Sequence, residues 1–322
     1  MGSAKIGCKI DEVRVDGSLR ALARDLRTFS VMALDAVEIP PHGLDVIKCG
    51  RLDPRRSREV RRILEDFDFT YTLHAPNPLN LMDRTQCELH VKVLRATLEF
   101  AECLGASPVV VHCGRYVPEE GFGHVSSAPP SEADCRAMRD QERYWLDKLA
   151  GEFPAITIGV ENARPYCYYS PYAYGESLRA LKEQIEAVGR PNVGITLDIG
   201  HAHMSAGHHG WNFLEEVADV TERVRHVHIH DNFGGSVAPT EKQQTHQIPF
   251  GRGDNHMPVG WGGIPMKAVL SLLMPAYTGI FMMELRSRYF DYIEESKWNL
   301  ECLLEGLAEP RGGSVPMAFA GA

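Results

Sequence analysis

The sequence predicts a single (β/α)8 barrel with long loops at the C-terminal ends of its strands. Short, apolar, β-branched runs recur eight times along the 322 residues. Each is followed by a segment with helical periodicity, the alternation expected of parallel βα units. The first run leads into DEVRVDG and not into a glycine-rich phosphate turn, which argues against the competing doubly wound sheet.

The strand candidates, in order, are KIGCKI (5–10), AVEIPP (36–41), FTYTLHAP (69–76), PVVVHCG (108–114), TIGVEN (157–162), NVGITLDIGH (192–201), VRHVHIHDN (224–232) and IFMMELRS (280–287). Between the first pair, SLRALARDLRTF (18–29) puts Leu19, Leu22, Leu26 and Phe29 on one helical stripe. DPRRSREVRRILEDF (53–67) opens with Asp-Pro, a helix-start signal. DRTQCELHVKVLRATLEFAECLG (83–105) stops at Gly105, as a helix with a left-handed C-terminal residue does. Further helices are expected at about 131–152, 175–188, 211–222, 263–275 and 290–307. Residues 1–308 are read as the barrel. Residues 309–322, with Pro and Gly punctuation and little periodicity, are read as a flexible C-terminal tail.

Composition narrows the class of partner. Apolar residues at 44% and charged ones at 24% are those of an ordinary globular chain, and the net charge of −9 supplies no global attraction for nucleic acid or anionic membrane. The basic run RRSREVRR (55–62) includes Glu59 and lies on an amphipathic helix, so a solvated outer face is expected there. Eight scattered cysteines without a C-x-x-C pair read as reduced thiols. No stretch approaches 18 apolar residues and the N-terminus lacks a signal-peptide core, so a cytoplasmic protein that does not span a membrane is expected.

In such a barrel, chemistry sits where the strands end at their C-terminal side. There the third strand presents His74, the fourth His112, the fifth Glu161 and the sixth Asp198, with His201 one turn on. The seventh carries His226, His228 and His230 on one face, the loop after it holds Asp254 and His256, and the eighth ends in Glu284. One histidine alone is more often a structural residue. Six successive strands that each deliver a His, Asp or Glu to one rim form a cluster that is costly to bury unless it is paired or holds a cation. Imidazole and carboxylate donors without cysteine suit Zn2+, Mn2+ or Co2+. Asp198 is read as a ligand, and His201 as either a second ligand or an outer orienting group.

Seven segments together resemble the xylose-isomerase-like, divalent-metal TIM-barrel superfamily. They are LHAPNPLNL (73–81), VVVHCG (109–114), VENARP (160–165), GITLDIGHAHMSAG (194–207), HVHIHDN (226–232), DNHMPVGWGGI (254–264) and MMELR (282–286). The superfamily contains sugar isomerases and epimerases as well as the endonuclease IV family. For the former, the resemblance implies one metal held by Glu161, Asp198, His228 and Glu284. His228 is chosen among the three histidines because the family's ligand precedes a hydrophobic residue and then a polar one, as in HIHDN. The implied chemistry is proton transfer alpha to a carbonyl on a sugar or sugar-like polyol, with Glu161 and Glu284 as the acid/base pair.

For the endonuclease-like members, the resemblance implies a trinuclear zinc phosphodiesterase built on all nine positions, which adds His74, His112, His201, Asp254 and His256 to the four. The sixth-strand motif LDIGHAH departs from the Thr-Cys pair usual in that branch, and this favours a small-molecule substrate over nucleic acid. A lyase or dehydratase on the same metal site is the further alternative. His230, Arg286 and Tyr166 are the candidate substrate contacts, Tyr166 as one of five tyrosines in NARPYCYYSPYAYG (162–175). The segment 114–134 is expected to form a lid. The resemblance also implies a homo-oligomer, a dimer or tetramer.

Overall fold

The computed structural model describes residues 4–118, 121–122, 130–236 and 244–308. Eight parallel strands close into a barrel: β1 (Lys5–Lys9), β2 (Ala36–Ile39), β3 (Thr70–His74), β4 (Val109–His112), β5 (Ile158–Glu161), β6 (Val193–Asp198), β7 (Val224–Ile229) and β8 (Ile280–Met283). Each strand pairs with its neighbours in chain order and β8 closes onto β1, so all eight predicted strands form and the fold is a (β/α)8 barrel. The tail 309–322 and most of 119–129 within the expected lid lie outside the described residues.

Outside the strands run helices α1 (Leu19–Val31), α2 (Pro54–Leu64), α3 (Cys87–Leu104), α4 (Glu132–Glu152), α5 (Leu178–Val188), α6 (Ile199–His209), α7 (Phe213–Val220), α8 (Met266–Leu273) and α9 (Ile293–Ala308). Their starts follow local chemistry. Ser18, Ser131 and Ser177 each accept a hydrogen bond from a backbone N–H of the first turn, satisfying a donor that the helix cannot. Gly105 and Gly189 end α3 and α5 at φ 66° and 68°, a left-handed conformation costly for residues with a Cβ. On α1, Leu22, Leu26 and Phe29 are buried against the barrel, a stripe that contributes about 1.5–3 kcal/mol per side chain. Among the described residues no helix is long and apolar enough to cross a membrane.

The departures from the expected elements are local. The sixth strand ends at Asp198 as expected, but the Asp198 side chain accepts from the His201 N–H (2.6 Å) and starts α6 at Ile199, a helix not expected from the sequence. The seventh and eighth strands stop at Ile229 and Met283, several residues earlier than the apolar runs suggest. A two-residue hairpin, Ile47–Lys48 with Arg51–Leu52, was not expected from the sequence.

Strand alternation divides the barrel into two environments. One set of side chains, including Val37, Leu73, Val111, Val160, Leu197 and Val227, is buried in the continuous apolar core. The other set faces the barrel axis. Low in the axis sit Gly7, Ala36, Ile280 and Met282; a Cβ on Gly7 would lie 2.7 Å from both the Ala36 carbonyl oxygen and the Met282 methyl, so only glycine fits. Above this plug the axial residues turn polar.

Candidate metal centre

The lowest polar layer is Glu38, Thr72 and His226, all fully buried. Glu38 Oε2 accepts from Thr72 Oγ1 (2.9 Å) and contacts His226 Nε2 (3.1 Å). One step up, His228 reaches down with Nε2 to Glu38 Oε1 (3.0 Å) and up with Nδ1 to Glu161 Oε1 (3.3 Å) and Glu284 Oε2 (3.1 Å). Glu161 Oε2 lies 3.3 Å from both His74 Nε2 and His112 Nε2. Asp198 has His230 Nε2 at 3.1 and 3.2 Å from its two oxygens. Toward the mouth, Asp254 Oδ2 is 2.9 Å from His256 Nε2 and 3.6 Å from His201 Nε2.

All nine positions expected at the rim converge and, together with His230, fall into three groups, within each of which the ligand atoms lie within 4.8 Å of one another. These are Glu161, Asp198, His228 and Glu284; His74, His112 and Glu161; and His201, His230, Asp254 and His256. A further group, Glu38 with His74 and His228, reaches down to the floor. The barrel register explains the convergence. Glu161 is paired with His112 on β4, and Asp198 with His228 on β7, so donors stand side by side on β4 and β5 and again on β6 and β7.

The comparison with known families settles the assignment. A family model described as the xylose isomerase-like TIM barrel matches residues 30–305. The chain belongs to that family. A protein of Methanocaldococcus jannaschii without an assigned function is 28% identical over 240 residues, 72% of this chain and 70% of its own. The solved structure of a D-tagatose 3-epimerase-like protein shares the fold at a TM-score of 0.67 and 24% identity, covering 94% of this chain and 98% of that one. A xylose isomerase-like barrel protein of Mycobacterium smegmatis, solved in complex with magnesium, does so at 0.65 and 16%, covering 95% and 98%.

The donors of this xylose isomerase-like barrel fit a divalent cation on tautomer grounds. His74 Nδ1 faces the Ala75 carbonyl (2.7 Å), His201 Nδ1 the Asn162 carbonyl (3.0 Å) and His256 Nδ1 the Glu284 carbonyl (2.7 Å). A carbonyl oxygen only accepts, so each Nδ1 carries hydrogen and each Nε2 of the neutral ring presents a lone pair to a carboxylate. Lone pair against carboxylate is repulsive unless a cation or proton stands between. His74 Nε2, His201 Nε2 and Glu161 Oε2 are buried with no hydrogen-bond partner, which is how donors reserved for a metal look.

Electrostatics agree with that arrangement. Burial pushes the Glu161 carboxyl up, but His228 and His112 outweigh it and hold it well below the usual range. Burial acts likewise on Glu284, and Lys9 and His228 pull it well below. For His201, Asp198 and Asp254 outweigh burial and raise it to about 10, so positive charge, whether a proton or a cation, is favoured at its Nε2.

The candidate substrate contacts separate. Arg286 lines a cavity of about 290 Å³ with Lys9, Asn77, Arg164, Asp254, His256 and Glu284, and its guanidinium donates twice to the Asp254 carbonyl. His230 is fully buried, stacked 3.9 Å from His256 and bonded to Asp198, so it sits among the donors and not on the open cavity. Tyr166 is packed against Phe122 and Tyr172, its hydroxyl accepting from Arg164 (2.8 Å). Tyr169 stacks on Phe122 at 4.3 Å, so the described parts of the tyrosine-rich loop and of segment 114–134 are joined by aromatic contacts.

Four side chains at the site were not singled out from the sequence. Lys9 Nζ is 2.5 Å from Glu284 Oε1. Arg164 Nη1 is 3.3 Å from Asp254 Oδ2. The Asn162 side chain donates to the Asp198 carbonyl and accepts from its N–H, tying β5 to β6. Glu38 is the fourth. The available signal for Lys9 and Glu38 was a charged residue at an axis-facing position of an otherwise apolar strand.

Proposed function

We propose that this barrel is a divalent-metal-dependent isomerase or epimerase acting on a sugar or sugar-like polyol by proton transfer at the carbon next to a carbonyl. The observation that carries the reading is that Glu161, at the end of β5, and Glu284, just past β8, both come within 3.3 Å of one nitrogen, His228 Nδ1. Two carboxylates converging on a common donor are suited to address the same substrate carbon, one removing the proton and the other returning it. Glu161, Asp198, His228 and Glu284 would hold the ion, which when bound supplies Lewis-acid polarisation of substrate oxygens.

The chain's own groups prepare both carboxylates. Each is held ionised at neutral pH, the state in which either can remove the substrate proton, and the one that returns a proton does so after first taking one up. Lys9 occupies Glu284 Oε1, which leaves Oε2 turned to His228 and His256. Lys9, Asn77, Arg164 and Arg286 line the cavity above with donors that match hydroxyl and carbonyl oxygens, and a site of about 290 Å³ suits a small polyol. The similarity to a D-tagatose 3-epimerase-like structure supports the same class.

A second reading, hydrolysis of a phosphodiester at three zinc ions, is favoured by one observation: the flanking groups around His112 and around Asp254 are each compact enough to seat an ion. One experiment separates the two. Metal per chain is measured by elemental analysis for the wild type and the His74→Ala/His112→Ala double variant, beside exchange of substrate C–H for deuterium from D2O across ketoses and inososes. A single exchangeable ion insensitive to the double substitution, with deuterium incorporation, is expected. About three zincs that fall in the variant, with phosphodiester cleavage and no exchange, would overturn the isomerase reading.

A further inference from the structure

The barrel floor holds a group that the proposed proton transfer does not use. Glu38 is a carboxylate with no exposed surface, placed on β2 between two histidines of β7. Removing such a charge from water costs several kcal/mol, and the cost is offset only by well-placed partners. One oxygen is satisfied: Oε2 takes the Thr72 hydroxyl and His226. The other faces a single group: Glu38 Oε1 and His228 Nε2 sit 3.0 Å apart, and neither atom has any other partner. His228 is confined as well, with the His74 ring stacked 5.6 Å away at 18°.

We infer that Glu38 is a positioning residue for the metal centre: it holds the proton of His228 on Nε2, so that Nδ1 presents its lone pair between Glu161 and Glu284. The arrangement is a carboxylate–histidine–donor triad running up the barrel axis, in which Thr72 fixes Glu38, Glu38 fixes His228, and His228 faces the ion. An imidazole has two neutral tautomers, and only the one protonated on Nε2 leaves a lone pair on the upper nitrogen. Ligating histidines are characteristically fixed by such an outer partner, which also raises their basicity. The inference rests on the reading of His228 as a metal donor. It adds that part of the affinity is set on β2, far from the mouth.

The test uses Co2+ as the probe, titrated into the full chain and followed by visible absorption, with thermal unfolding of the metal-free protein measured alongside. Glu38→Gln keeps the volume and removes the charge. It is expected to weaken Co2+ binding by roughly 10–100-fold and to alter the d–d spectrum, without lowering the melting temperature of the metal-free chain. Thr72→Val, a gentler change, is expected to weaken binding several-fold, and it serves as the test if Glu38→Gln does not fold. His228→Ala is the control, expected to lose the band. Wild-type affinity and spectrum in folded Glu38→Gln or Thr72→Val, with loss in His228→Ala, would overturn the positioning role and leave the metal reading standing. Loss of one bound ion at unchanged affinity for the rest would also overturn it, because Glu38 would then be a ligand. Wild-type Co2+ binding by His228→Ala would remove the metal reading itself.

Discussion

Leu197 and Asp198 are neighbours on one strand and belong to two different materials. Leu197 points outward into the apolar core under the helices, while Asp198 points to the axis among imidazoles and carboxylates; both are fully buried. The same contrast holds along β5, where Val160 is core and Glu161 is site. Burial therefore says nothing about role in this molecule. The side of the strand does, because the outward face gains stability from every methylene it hides, and the axial face spends stability to keep charged donors together.

The largest effect is expected on the axial face. Glu161→Gln removes the carboxylate shared by two donor groups and should lower turnover by roughly 10²–10⁴-fold, the range for loss of an acid/base group, while circular dichroism reports an intact barrel. Turnover within tenfold of wild type would break the division. Next comes the adjacent pair. Leu197→Ala should cost about 2–5 kcal/mol in denaturant unfolding and spare Co2+ binding in the molecules that remain folded. Asp198→Asn should do the reverse, since asparagine caps a helix as well as aspartate does but lacks the charge a cation needs. Equal loss of both properties in both variants would mean that the two faces are not independent.

The smallest effect sharpens the contrast, because it concerns a charged group in the outer layer. Glu142 of α4 is buried, accepts from the Gly114 N–H (2.7 Å) and from Gln184 (2.9 Å), and ties the loop after β4 to the helical layer. Burial pushes its carboxyl from 4.5 up to about 7, against the pull of Tyr174 and the Gly114 N–H. The folded chain therefore binds the proton more tightly than the unfolded one. That contribution is fully present below about pH 4.5 and disappears as pH rises to about 7, a loss of up to about 3 kcal/mol. Glu142→Gln should flatten stability across that window, as read from unfolding curves at pH 5 and pH 8. An unchanged slope would show that Glu142 is ionised at little cost.

The outward face was nearly transparent to sequence. Parallel strands covered by helices read as short apolar runs, and the eight runs gave the barrel because nothing else in the chain imitates them. The rim donors were legible for a related reason: His74, His112, Glu161 and Glu284 each break an apolar run at its end. What escaped was set by neighbours distant in the chain. Glu38 looks like an isolated charge in AVEI until β7 brings His226 and His228 beside it. Lys9 acquires its meaning from Glu284, 275 residues away. His230, expected to touch substrate, is drawn below the open cavity by Asp198, and Gly200 leaves the room for its ring, which a Cβ there would strike. Helix α6 was missed because the residues after Asp198 carry no helical signal of their own, and only the cap reveals that a helix has begun.

That cap has a thermodynamic consequence. Asp198 Oδ1 receives the His201 N–H, so one carboxylate holds the first turn of α6 and stands in the donor cluster. Opening that turn and dispersing the cluster are then a single event with a single free energy. The exchange of the His201 amide with deuterium becomes a built-in gauge of the centre: whatever fills the site slows that exchange in proportion to its occupancy, and whatever empties it lets the helix fray from its first residue.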